Sequence, residues 1–404
     1  MQKERFLNHD EETKVLSSRK ELTEYNDFRK AHDEWIIAPI NEIAAWGISN
    51  LPLFIPDRAE NINVKIHGFK APVEKIDTDD IDNQECINTT GLFLIVPYQN
   101  KNVALPTDER SLASIYQRCD DFCGIMTRTE PKAKKRVLPV EEKAERLTRD
   151  NSLFDADCKI LYRDGKIRFD ASEQYTIADN AVLIDALETE LASNHPNYQF
   201  SEAAVNHDYL VVRYTLNDMM MDEGLRLKLN DTGSDIHQLQ SGVQFTTSDT
   251  GCSAVKANVF LTVDGVTLYL KGVSINHKDE DLLDNFKKEI KRFAEILKES
   301  EERIEELGNM DINDVAGTVK KITSFYSTVF PQKVSQEVID EMTIRYPSGG
   351  TAVDVYLALA DIVDRHVKSN ELSLTRQLDM TEQVAGLIYL QFDKIDSGEI
   401  ELKK

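Results

Sequence analysis

The segment from Gly242 to Leu307 constrains the fold of this chain more than any other. Three runs with strand character, Val243–Thr247, Ala254–Val263 and Val266–Ile275, are punctuated by Gly, Ser and Thr and lead through His277 into a long charged helix. The two longer runs meet at Asp264-Gly265, where glycine supplies the positive φ of a tight hairpin turn and aspartate tolerates it. Strands that follow one another and then give way to helix predict an α+β fold. The expected form is an antiparallel β-sheet core with packed helices and a helical C-terminal region.

The helix after His277 carries Leu283, Phe286, Ile290, Phe293, Leu297, Ile304 and Leu307 at alternating spacings of three and four, with Ser300 as the polar break. Glu and Lys fill the remaining positions, which makes a heptad seam. An apolar stripe of this length must pack on something. Either it lies on the neighbouring sheet of its own chain, or Leu283, Phe286, Ile290, Phe293 and Leu297 form a homo-oligomer seam.

Elsewhere the pattern divides the chain into four parts. Residues 1–110 form an N-terminal α/β region, 111–150 a helix and basic linker, 151–278 the sheet core, and 279–404 the charged helix and C-terminal helices. Residues 1–50 are mostly helical in pattern, with an apolar cluster from Trp35 to Trp46, and 61–105 read as strands around an acidic loop at Asp77–Glu85. Ser111–Ile125 is expected as helix. A hairpin joins Cys158–Tyr162 to Lys166–Asp170 through Asp164-Gly165; a helix over Asn180–Ser193 and a strand over Tyr209–Leu216 follow. Near the C-terminus Thr351 is a helix cap with Asp354 three residues on to return the bond, and a last helix runs from about Thr381 to Phe392.

Charge limits what the protein can do. The formal net charge of -23 repels nucleic acid phosphates on average, so any such contact needs a local basic patch. One exists in the sequence: Arg128, Lys132, Lys134, Lys135 and Arg136 precede the hairpin that carries Arg163, Lys166 and Arg168, with Tyr162 and Phe169 nearby for base stacking. The same cations suit a solvated linker that pairs with the acidic surface of its own protein. No apolar stretch approaches the roughly 18 residues that span a bilayer, and the N-terminus lacks the apolar core of a signal peptide. The odd, scattered set of five cysteines suits reduced thiols, so the expected compartment is the cytoplasm and no membrane partner is expected. Cys119 and Cys123 fit a pair of partly buried thiols better than half of a zinc site.

Of the remaining motifs, Asp231-Thr232-Gly233 and Asp249-Thr250-Gly251 resemble the aspartic-protease triplet, but turn chemistry explains both. Asp218, Asp222 and Glu223, or Asp279, Glu280 and Asp281, are candidate ligands for a metal-dependent hydrolase; a chain so rich in carboxylates produces such groups by chance. His277 closes a strand, where a structural role is the ordinary one. Phosphate-loop, dinucleotide, zincin and nucleophile-elbow signatures do not occur, and no cofactor is expected.

Several pieces together resemble a family of phage- and plasmid-encoded proteins, the domain-of-unknown-function 932 family. They are Ser172 to Asn180 opening a helix, Phe245 to Ala254 leading into paired strands, His277 before the charged helix, and Gly350 to Ala360. The resemblance covers about 155–395. It departs from the family pattern at Ala352-Val353 and Leu268-Tyr269. It implies an origin on a mobile element and no defined activity. The order of strands and final helix also looks like single-strand annealing proteins, which hold DNA as oligomeric rings. The leading expectation is therefore a non-catalytic phage or plasmid accessory protein of DNA metabolism that binds or anneals single-stranded DNA as an oligomer. The alternative is an acidic interaction protein that engages a basic host protein by mimicking nucleic acid, and the third is a metal-dependent hydrolase.

Overall fold

The computed structural model describes residues 13–47, 61–66, 69–74, 80–108, 111–112, 114–115, 140–369 and 372–402; for 61–66, 69–74 and Lys271 it describes the backbone alone. In chain order the elements are β1 (Lys14–Leu16), α1 (Arg19–His32), β2 (Glu34–Pro39), β3 (Ala44–Gly47), β4 (Asn61–Ile66), β5 (Phe69–Glu74), α2 (Ile81–Asn88), β6 (Leu92–Tyr98) and β7 (Lys101–Pro106). There follow α3 (Val140–Asn151), β8 (Asp157–Arg163), β9 (Lys166–Ser172), α4 (Asn180–Asn194), β10 (Gln199–Val205), β11 (Leu210–Thr215), α5 (Met219–Asp231), β12 (Leu239–Thr247), β13 (Val255–Val263) and β14 (Val266–Ile275). The C-terminal part contains α6 (Leu282–Ile290), α7 (Phe293–Gly308), β15 (Asp311–Ile312), α8 (Val315–Phe325), α9 (Gln332–Arg345), β16 (Gly350–Thr351), α10 (Ala352–Ser369), α11 (Leu374–Gly386) and α12 (Phe392–Ser397).

The expected α+β class holds. A six-stranded antiparallel sheet in the order β1-β10-β11-β12-β13-β14 forms the core of the second half. Strand alternation gives it two unlike faces. Val212, Tyr214, Val243, Phe245, Ala257 and Val259 are all fully buried on the inner face. Phe286, Ile290, Phe293 and Leu297 of α6 and α7 complete the same apolar core, together with Leu183, Ile184 and Leu187 of α4. The heptad positions are thus filled within the chain, with Leu283 partly buried beside them. This corrects the homo-oligomer seam: the stripe is spent on the sheet, and the helix breaks into α6 and α7 at Lys291 and Arg292.

Both hairpin turns form as their sequences demand. Asp264 and Gly265 have φ of 49° and 87°, Asp164 and Gly165 48° and 77°, the doubly positive geometry that matches strand twist. The β8–β9 hairpin, however, pairs with β2 in a separate three-stranded sheet rather than with the core sheet. Residues 34–47 form no α-helix, only two strands with a 3-10 turn at Ile40–Glu42 between them. Pro39 and a run rich in Ile and Trp favour extended backbone, and β3 joins a five-stranded sheet, β3-β6-β7-β5-β4. Part of the expected acidic loop is α2, which begins because the Asp80 carboxylate accepts from the backbone N–H groups of Asp82 and Asn83. At α10 the Asp354 carboxylate accepts from the Thr351 N–H at 2.8 Å and its hydroxyl at 2.9 Å, as the capping pattern predicts. The last expected helix divides into α11, a 3-10 turn at Leu387–Tyr389 and α12. Most of Ser111–Ile125, Cys119 and Cys123 among them, lies outside the described residues.

Candidate functional site

The hairpin expected to line a nucleic-acid groove turns its cations inward. Arg163, Lys166 and Arg168 are 3%, 3% and 5% exposed. Arg163 lies between Asp33 (2.9 Å from Nε) and Asp249 (2.6 Å), and also donates to the His207 carbonyl at 3.0 Å. Lys166 pairs with Glu85 at 2.6 Å, and Arg168 with Asp108 at 2.6 Å. Charges removed from water cost several kcal/mol each unless paired, so these four carboxylates are what allow the hairpin to pack. Three of them come from β8–β9's neighbours in space, α2, the segment after β7 and the end of α1; the fourth comes from the turn after β12. Asp33 also receives Arg29 at 3.3 Å, and Arg29 reaches Asp164 at 2.9 Å. The network ties the three-stranded sheet to the core sheet.

The hairpin aromatics follow the same course. Phe169 meets Tyr175 edge-on at 5.2 Å, and Tyr175 stacks on His277 (4.9 Å, 7° between planes) and on Trp35 (5.8 Å). Tyr175 donates its hydroxyl to the Ser248 carbonyl at 3.1 Å. Gly251, with φ of 69°, lies so close to the Phe169 ring that an added Cβ would sit 2.7 Å away. Tyr162 is half-buried, and burial raises its pKa. These positions therefore serve packing; the expected cationic groove on β8–β9 is corrected to an internal ion-pair network. Arg128, Lys132, Lys134, Lys135 and Arg136 lie outside the described residues. His277 has the structural role expected of it, with Nδ1 3.2 Å from the Thr176 carbonyl and its pKa lowered by burial.

The two Asp-Thr-Gly triplets are turns. Asp231 ends α5, and Asp249 belongs to Arg163. Among the described residues no group of three or more His, Cys, Asp or Glu side chains is placed to hold a metal ion, so Asp218, Asp222 and Glu223 do not converge as ligands. Cys86 and Cys158 are buried and Cys252 is exposed.

Two other regions concentrate chemistry. Where α5 packs on α7, Glu301 is half-buried close to Asp222, with Asp218 and Glu302 near. Burial and then the Asp222 charge push its pKa up to about 7. Lys228 answers only in part, being paired to Glu305 at 2.6 Å. The outward stripe of α7, Glu299, Glu302 and Glu306, continues this surface, with Lys298 3.6 Å from Glu302 and Arg303 2.8 Å from Glu306.

The second region is the outer face of the core sheet. Glu202, Arg213, Gln244 and Asn258 stand opposite one another in register across β10 to β13, a polar row on a sheet whose other face is apolar. Arg213 donates to Gln244 Oε1 (2.9 Å), to Glu202 (3.2 Å) and to the Tyr269 hydroxyl. Above this row α10 and α11 form a roof, held by a bond from the Tyr356 hydroxyl to the Tyr269 carbonyl at 3.0 Å and an ion pair between Lys256 and Glu382. A cavity of about 300 Å³ remains between floor and roof. Sequence reasoning passed over Arg213; the signal was an arginine within Leu210-Val-Val-Arg-Tyr-Thr215, where alternation sets it opposite the buried side chains.

No family model, curated protein or solved structure matches this chain. No helix of the described residues is long and apolar enough to cross a membrane.

Proposed function

We propose that the protein is a non-catalytic accessory protein that engages a basic protein partner through its acidic exterior. The observation that carries this reading is the inward turn of Arg163, Lys166 and Arg168, each neutralised by a carboxylate, while Asp218, Asp222, Glu301 and Glu302 gather where α5 packs on α7. Charge complementarity of this kind speeds encounter and selects cationic partners. An annealing role on single-stranded DNA rests, by contrast, on Arg128, Lys132, Lys134, Lys135 and Arg136 alone.

The test measures binding of a fluorescent oligolysine and of labelled single-stranded DNA at low and moderate salt. Oligolysine should bind in a salt-sensitive way. Replacing Glu299, Glu302 and Glu306 by Gln should weaken it several-fold more than an equal change of charge at Glu337, Asp393 and Glu399. Retention of DNA with no preference for oligolysine, or equal loss in the two charge variants, would overturn the reading.

A further inference from the structure

The cavity between the outer sheet face and α10 and α11 has a composition that names its ligand. Its walls are aliphatic, including Val211, Val363, Val367, Leu378 and Val384. Its floor holds one cation and one anion side by side, Arg213 and Glu202, with 38% and 46% of their side chains exposed. At about 300 Å³ it stands at the lower limit of the roughly 300–1,000 Å³ of small-molecule pockets, so the ligand is small.

We propose that this cleft binds a free α-amino acid with an aliphatic side chain, its carboxylate on Arg213, its ammonium on Glu202 and its side chain between α10 and α11. Three observations lead there. The Arg213–Glu202 contact is long at 3.2 Å and open to solvent, so it is worth about 0–1 kcal/mol and can be exchanged for ligand contacts at little cost. Arg213 keeps N–H donors to spare beyond those given to Gln244, Glu202 and Tyr269. The other charges at the rim cancel, because Lys368 pairs with Asp364 at 2.6 Å. A lone anion would satisfy Arg213 and leave Glu202 facing it without a counter-charge, and a lone cation would do the reverse. A zwitterion satisfies both and brings no net charge into the cleft.

Calorimetric titration of the full chain with L-leucine, L-isoleucine, L-valine and L-methionine tests this. Isocaproate and isoamylamine, which carry the leucine skeleton with one head group each, serve as controls. At least one of the four amino acids should bind, and both controls should bind at least tenfold more weakly than leucine. Arg213→Met and Glu202→Gln should each weaken binding at least tenfold, and Val363→Trp, which fills the cleft, should remove it. Glu202→Gln alters a half-exposed side chain, so it reports on binding even if another variant fails to fold. Absence of heat with all four amino acids, equal binding of isocaproate, or undiminished binding by Glu202→Gln would overturn the proposal.

Discussion

Arg163, at the end of β8, is 3% exposed and lies between Asp33 and Asp249. Arg213, in the middle of β11, leaves more than a third of its side chain open and shares one carboxylate at 3.2 Å on the floor of a cavity. Both are strand arginines with carboxylate partners, yet water separates their energetics. In the interior a guanidinium loses several kcal/mol of hydration, and only close, multiple partners offset the loss. At a wetted face the same pair is screened and contributes little. The first arrangement holds two sheets together; the second leaves an arginine available to something else.

Removing Arg163 should have the largest effect. Arg163→Met leaves Asp33 and Asp249 without their main counter-charge, and urea unfolding should show a loss of about 3–5 kcal/mol. A loss below about 1 kcal/mol would place Arg163 in the same class as Arg213 and end the contrast.

Glu301 lies between the two cases, half-buried, and its Oε1 has no hydrogen-bond partner among the described residues. Its folded pKa, about 7, exceeds the roughly 4.3 of an unfolded glutamate. The folded state therefore holds this proton more tightly, and the resulting stability is complete below about pH 4.3 and lost as pH rises through about 7. Glu301→Gln should match the wild type near pH 4 and exceed it by about 1 kcal/mol at pH 8, a figure discounted for partial exposure. Thermal unfolding at the two pH values checks this; a variant less stable at pH 8 would mean that the ionised carboxylate has a partner worth keeping.

The smallest effect sharpens the comparison from the other side. Glu202→Gln, which removes the charge opposite Arg213, should change unfolding free energy by less than about 1 kcal/mol in the absence of ligand. A loss as large as that expected for Arg163 would make the polar row of the sheet a structural device.

Local signals in this chain were legible. Asp-Gly pairs with positive φ gave both hairpin turns, and Thr351 with Asp354 gave the start of α10. The turn at Asp164-Gly165 between Cys158–Tyr162 and Lys166–Asp170 indicated a pair of strands. It could not say which face of those strands meets water, because the deciding carboxylates, Asp33, Glu85, Asp108 and Asp249, are distant in sequence and arrive only through the fold. For the same reason the heptad stripe of α6 and α7 left its partner open. Trp35 to Trp46 misled in another way: short apolar runs serve helix or strand equally, and tertiary pairing with β8 and β6 decided.

β1 and β2 draw their pairing partners from much later in the chain, Lys14 opposite Val205 and Glu34 opposite Tyr162. During synthesis each of these strands emerges well before its mate and closes a long loop when the mate follows. Pairing across such long separations slows folding relative to local contacts of the same strength. Cells producing this protein face their greatest risk of mispairing while the nascent chain is still short of its second half.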